Sequence, residues 1–203
     1  MTYRIEALTS QTWPGFVALA EKHNGVWGGC WCTYFHRIPG EKGRGVPPEL
    51  REEAEGAELT KLWKEHLVRA GRAHAALVFE GDTTIAWCEY GTPNELPNIY
   101  HRKEYQSGLG EPVPPYRITC FFVDRDHRRR GVAEAALQGA LDLIAAQGGG
   151  TVDSFPNDVE GKKTSSSFLH NGTRTMFERA GFEYLRPLGT KKCLMRRRVD
   201  SVH

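Results

Sequence analysis

Apolar and polar residues alternate at the start of the chain. Tyr3-Arg4-Ile5-Glu6-Ala7-Leu8 has the two-residue period of a short strand. Thr9-Ser10 then offers a cap to a helix running to about Lys22, with Trp13, Phe16, Val17 and Ala20 on one face. Asn24 to His36 follows neither period and is rich in glycine and aromatic residues. Arg37 to Pro48 is punctuated by glycine and proline and predicts a loop. Helical spacing returns over Glu49 to Ala70, with Leu50, Ala54, Ala57, Leu62, Leu67 and Ala70 as the apolar positions.

Strand character dominates from Ala73 onward. Ala73 to Glu80 and Thr83 to Tyr90 flank Gly81-Asp82, a hairpin turn signal. Thr92 to Pro115 holds five prolines and predicts an insertion without regular structure, either a lid over a site or a disordered segment. Arg117 to Val123 is a buried strand. Ala133, Leu137, Ala140, Leu141 and Ile144 mark a helix face that Gly148-Gly149-Gly150 ends. Thr151 to Phe155 is a strand, and Asn171 to Ala180 a helix with Asn171 as its cap and Gly181 at its stop. Phe182 to Leu185 and Lys191 to Arg197 close the chain as strands. This order predicts one α/β domain over residues 1–198 with a mixed sheet, and a tail from 199 to 203.

Composition narrows the setting. With 39% hydrophobic and 26% charged residues, the 203-residue chain can bury one sizeable core. A net charge of +2 argues against nucleic acid as the partner. No apolar stretch approaches the roughly 20 residues that span a bilayer, so no membrane partner is expected. The first residues lack the basic-then-apolar pattern of a secretory signal. Five cysteines, an odd number and mostly in apolar segments, predict a reduced cytoplasmic protein. Cys30-Trp31-Cys32 lacks the spacing of a structural zinc site, so no metal is expected.

The informative chemistry lies in Cys120-Phe121-Phe122-Val123-Asp124-Arg125-Asp126-His127-Arg128-Arg129-Arg130-Gly131-Val132-Ala133. A strand ends at Val123, a polar loop follows, and a helix begins near Gly131. The first turn of a helix presents unpaired N–H groups and partial positive charge, which suits phosphate. Gly131 and Ala133 let the backbone approach an anion, and Arg128, Arg129 and Arg130 add cationic forks. Neither the dinucleotide glycine fingerprint nor the P-loop is present.

These residues resemble the GNAT superfamily of acetyltransferases. Its acetyl-CoA motif, Gln/Arg-x-x-Gly-x-Gly/Ala after a strand, is matched by Arg128-x-x-Gly131-x-Ala133. About fifty residues later, Phe177-Glu178-Arg179-Ala180-Gly181-Phe182 is similar to a second family element. Gly29-Cys30-Trp31-Cys32-Thr33-Tyr34-Phe35, Ala86-Trp87-Cys88, Cys120-Phe121-Phe122-Val123 and Ser154-Phe155-Pro156 look like a bacterial subgroup with Cys-Trp-Cys near its N-terminus. The resemblance implies a mixed, mostly antiparallel sheet of six to seven strands, flanked by about four helices and splayed between the fourth and fifth strands. It also implies that a homodimer is common.

The same resemblance implies acetyl-CoA as co-substrate and an amine, free or on a protein, as acceptor. Phe121 and Val123 would offer backbone groups to pantetheine, the Val123 N–H would polarise the acetyl carbonyl, and amides from Arg129 through Arg130, Gly131 and Val132 to Ala133 would hold the pyrophosphate. Phe177 stands where many members carry a proton-donating tyrosine, and Arg117 where some carry a glutamate base; neither can fill that role. Glu89 is the candidate base, against a structural reading as a partly exposed strand carboxylate. Asp153 reads as a structural acceptor and His127 as a loop residue, while Tyr34 and His36 either line the acceptor groove or pack at the surface. A non-catalytic acyl-CoA sensor is the competing function.

Overall fold

The computed structural model describes residues 3–158 and 170–202. The expected tail is described to Val202, and His203 lies outside the described residues. Seven strands form one sheet: β1 (Arg4–Ala7), β2 (His74–Glu80), β3 (Thr83–Gly91), β4 (Tyr116–Val123), β5 (Gly150–Ser154), β6 (Glu183–Leu188) and β7 (Lys192–Val199). Their order is β1-β2-β3-β4-β5-β7-β6, and every pairing is antiparallel except β4 with β5. The parallel pair needs a crossover, which α5 (Val132–Ala146) supplies.

The sheet buries both faces. On one, α5 sets Ala136, Ala140 and Ile144 against Ala76, Ala86 and Cys88. On the other, α1 (Trp13–Lys22), α3 (Gly56–Arg69) and the aromatic segment bring Phe16, Trp31, Phe35 and Trp63 against Leu77, Trp87 and Phe122. The period-2 and helical patterns seen in the sequence reflect this division.

Local boundaries shift where tertiary contacts outweigh propensity. The helix expected over Glu49 to Ala70 is two, α2 (Pro48–Glu53) and α3, because Ala54 and Glu55 are extended and Gly56 follows at φ +59°. The insertion expected to lack regular structure contains α4 (Arg102–Ser107). A six-residue helix is marginal alone, but the Tyr105 ring is buried and its hydroxyl donates to Asp153 Oδ2 at 2.8 Å. Asp153 also accepts from Arg196 at 2.7 and 3.0 Å, a structural role. The last helix, α6 (Arg174–Arg179), is capped by Thr173, which accepts from the Met176 amide, and not by Asn171.

β4 carries a bulge. Its register with β3 runs from Glu89↔Cys120 directly to Tyr90↔Ile118, leaving Thr119 as the extra residue. Pairing of β4 with β5 ends at Ile118↔Ser154. The two strands therefore part from Thr119 onward, the splay expected between the fourth and fifth strands.

A buried ionic network sits against this bulge. Lys64 and Glu89 are 1% and 0% exposed, so neither reaches bulk water. Lys64 Nζ donates to Glu89 Oε1 at 2.7 Å, to the Cys32 carbonyl at 3.2 Å and to His36 Nε2 at 3.0 Å, using all three protons. Burial, then the Lys64 charge, keep His36 neutral; its Nδ1–H donates to the Glu95 carbonyl at 2.9 Å. Glu89 Oε2 accepts from the Thr119 hydroxyl at 2.9 Å. Burial pushes the Glu89 carboxyl up, but the Lys64 ammonium outweighs this and holds it at about 2.

Removing one partner leaves an uncompensated buried charge. Lys64→Met should destabilise by about 3 to 5 kcal/mol in urea unfolding, and Lys64→Met with Glu89→Leu by less. Because folding lowers the Glu89 pKa from 4.5 to about 2, its contribution is complete above about pH 4.5 and is lost as pH falls towards 2. That loss should be roughly 3 kcal/mol, absent from Glu89→Gln.

Candidate active site

The gap between β4 and β5 is lined by backbone. The Asp124 amide donates to the Ile85 carbonyl at 2.8 Å. Antiparallel pairs alternate, so Phe122 also faces β3 while Phe121 and Val123 turn their N–H and C=O groups away from it, into the gap. Arg128 Nε reaches back to the Val123 carbonyl at 3.3 Å. The Val123 N–H is left facing the opening.

The loop after β4 is held in place by Asp124. This buried carboxylate accepts from Lys22 Nζ at 2.7 Å and the Asp126 amide at 3.2 Å. Burial pushes its carboxyl up, yet the bonds from Lys22 and the Asp126 amide outweigh this and lower it. The loop delivers Gly131 at φ +74° as the N-cap of α5, a left-handed conformation suited to glycine. Gly131 has no side chain to cap this helix, and no side-chain cap bond is made among the described residues. Its first amides are thus open to an external anion, the donor set that a diphosphate fits.

A cleft of about 580 Å³ joins these features. Phe121, Val123, Arg128, Arg129, Gly131, Val132 and Ala133 form one wall, and Trp27, His170, Gly172, Thr173 and Met176 form the other. Arg130 does not line it and is exposed. Phe177 is fully buried beneath it, edge-on to Phe121 and Phe182 at 5.9 and 4.9 Å.

A second cleft of about 450 Å³ adjoins the first and shares Trp27 and His170 with it. Its walls carry Tyr34, Phe35, Tyr100, Cys30, Cys32 and Cys120, with Arg37 also on the lining. Tyr34 and Tyr100 stack at 5.4 Å, and the Tyr100 hydroxyl lies 3.1 Å from His170 Nε2. Lys192 sits 4.7 Å from the Tyr100 ring and donates to Asn171 Oδ1 at 2.7 Å. Burial brings its ammonium down to about 8. Asn171 in turn donates to the Thr119 carbonyl at 2.5 Å, tying the segment before α6 to the bulge.

The sequence candidates are distributed unevenly. Tyr34 lines the second cleft, whereas His36 lies under it in the ionic network. Glu89 lines neither cleft and is enclosed rather than partly exposed. His127 lines the first cleft, 3.2 Å from Glu80. Of the insertion, Tyr100 reaches the second cleft and Tyr105 is buried at Asp153. His170 is silent in the sequence: a lone histidine carries no periodic or motif signal, and only the fold brings it to the seam between the clefts. Among the described residues, no group of three His, Cys, Asp or Glu side chains is gathered to hold a metal ion, and no helix is long and apolar enough to cross a membrane.

The acetyltransferase (GNAT) family profile matches residues 43–159, and the chain belongs to that family. Among solved structures, it is similar to a histone acetyltransferase HPA2 and related acetyltransferase from Corynebacterium glutamicum, at 14% identity and TM-score 0.52, covering 100% of this chain and 98% of that one. It is also similar to the GNAT domain of S. lividans PAT, at 14% identity and TM-score 0.51, covering 98% and 91%. Both likenesses are of fold. No curated protein sequence matches the chain.

Gly131→Asp tests the cradle. A carboxylate beside the open amides should weaken coenzyme A binding by at least about 100-fold in calorimetry, while the melting temperature falls by only a few degrees. Unchanged affinity would relocate the site.

Proposed function

We propose that this protein is an acetyl-CoA-dependent N-acetyltransferase in which an amine attacks the thioester directly at the seam of the two clefts. The observation that carries this reading is the meeting of a backbone-lined groove with an aromatic groove at Trp27 and His170. A binding module for the coenzyme alone needs the first groove only. We read residues 1–198 as one catalytic unit, acting in a reducing, cytoplasmic setting in keeping with five free cysteines, and the Cys-Trp-Cys subgroup as its nearer kinship.

Acetyl-CoA supplies an activated acyl carbon and a thiolate leaving group. The amides from Arg129 to Ala133 hold its pyrophosphate, with Arg128 and Arg129 beside them. Backbone groups of Phe121 and Val123 orient the pantetheine arm, and the Val123 N–H donates to the carbonyl oxygen as negative charge develops there. The amine nitrogen forms the new N–C bond, the C–S bond breaks, and the nitrogen gives up a proton.

His170 is our assignment for that proton. Its Nε2 is within hydrogen-bond reach of Tyr100 and its ring borders both clefts. The Tyr100 hydroxyl, pushed well up by burial, stays protonated and orients the ring. The departing thiolate recovers a proton through the same pair, in the absence of a tyrosine at Phe177. Glu89 keeps a role as the fixed negative charge beneath the acceptor cleft, holding Lys64 and Thr119, and not as a base in contact with the amine.

Phe177 favours the second reading, a sensor that binds acyl-CoA without turnover. Thiol release with a panel of amines separates the two. Turnover with any acceptor supports the transferase; tight coenzyme binding with no turnover across the panel supports the sensor. In the transferase, His170→Gln should lower kcat by about 10²- to 10³-fold while coenzyme still binds. Retention of full kcat would remove His170 from the chemistry.

A further inference from the structure

The acceptor cleft has a chemical polarity that the transferase reading leaves unused. One end is the seam with the coenzyme groove, at Trp27 and His170. Towards the other lies Arg37, which lines this cleft and an adjoining groove. Between them the aromatic rings follow in series. The Arg37 guanidinium lies 5.6 Å from the Tyr34 ring, Tyr34 stacks on Tyr100 at 5.4 Å, and Tyr100 meets His170 at 5.9 Å between centroids.

Charge along this path has one sign. The described residues lining the cleft include no aspartate or glutamate. Arg37 is half-buried and makes no ion pair with a described residue; its recorded partner is the Tyr34 face. The adjoining groove adds Lys42 and Arg44, with Glu41 as the one acid on its described lining. A partly desolvated guanidinium is weakly hydrated and presents a planar fork that matches a carboxylate. An acceptor with a second positive charge would meet it unfavourably. The faces of Tyr34 and Tyr100, with Phe35, offer a flat apolar wall for a ring or short chain.

We propose that the acceptor is an amine whose aromatic or apolar body carries a carboxylate at the end remote from the amine, with the carboxylate on Arg37, the body along Tyr34 and Tyr100, and the amine at His170. The proposal rests on the transferase reading for the fate of the amine and on the cleft alone for the carboxylate. Polyamines and other multiply charged cations are the class it excludes.

Three probes of one shape decide it: 4-(aminomethyl)benzoate, benzylamine and 4-(aminomethyl)benzylamine. Each is measured for kcat/KM by thiol release with acetyl-CoA, and for affinity by calorimetry on the coenzyme A-saturated protein. The carboxylate probe should exceed benzylamine by about 10- to 100-fold in both readouts, with the diamine weakest. Arg37→Gln, checked for an unchanged melting temperature, should narrow the carboxylate-to-benzylamine ratio to within about threefold. Equal values for the three probes, preference for the diamine, or a ratio that survives Arg37→Gln overturns the proposal. If no probe is acetylated but the carboxylate probe still binds tighter through Arg37, the carboxylate-binding role of the cleft stands and the transferase reading falls.

Discussion

The fold depends on one buried lysine. Lys64 rises from α3 into the sheet and gives its three protons to Glu89 on β3, to His36 and to the Cys32 carbonyl in the aromatic segment. Each of those groups would be costly to bury alone. Glu89 then spends its second oxygen on Thr119, the extra residue of the β4 bulge. An interior charge pair thus fixes the point at which β4 leaves β5. The opening that follows is what makes room for a ligand, so the same network that ties the helical layer to the sheet also shapes the groove.

Backbone, more than side chains, shapes that groove. The alternation of an antiparallel ladder turns Phe121 and Val123 towards the gap, and the uncapped start of α5 adds amides behind Gly131. Such donors do not titrate and need no rotamer to be fixed. The second cleft is of the opposite kind, an aromatic wall with a cation on its lining, shaped by side chains. The two kinds of surface meet at His170 and Trp27, and Asn171, next in the chain, bonds the Thr119 carbonyl across the splay.

Much of this was legible in the residues themselves. Runs of alternating period marked all seven described strands, and Arg128-x-x-Gly131-x-Ala133 after a strand marked the loop and the Gly131 start of α5, because these signals are local. Three expectations built on local propensity shifted. The single helix over Glu49 to Ala70 breaks at Ala54 to Gly56, and Thr173 rather than Asn171 caps α6. In the insertion, a short helix forms because Tyr105 finds Asp153 forty-eight positions later.

The sequence by itself determined the fold class, the strand-loop-helix cradle and the lack of a tyrosine at Phe177, since each is written in neighbouring residues. The places of Glu89, His36, Arg37, Tyr100 and His170 came only with the packed fold. A strand glutamate reads the same whether it faces water or a buried lysine, and Lys64 is separated from it by 25 positions. His170 and Tyr100 meet across 70. Contacts at such separations leave no period or spacing in the chain, because the packing of the sheet against its helices, and not the order of the residues, brings those groups together.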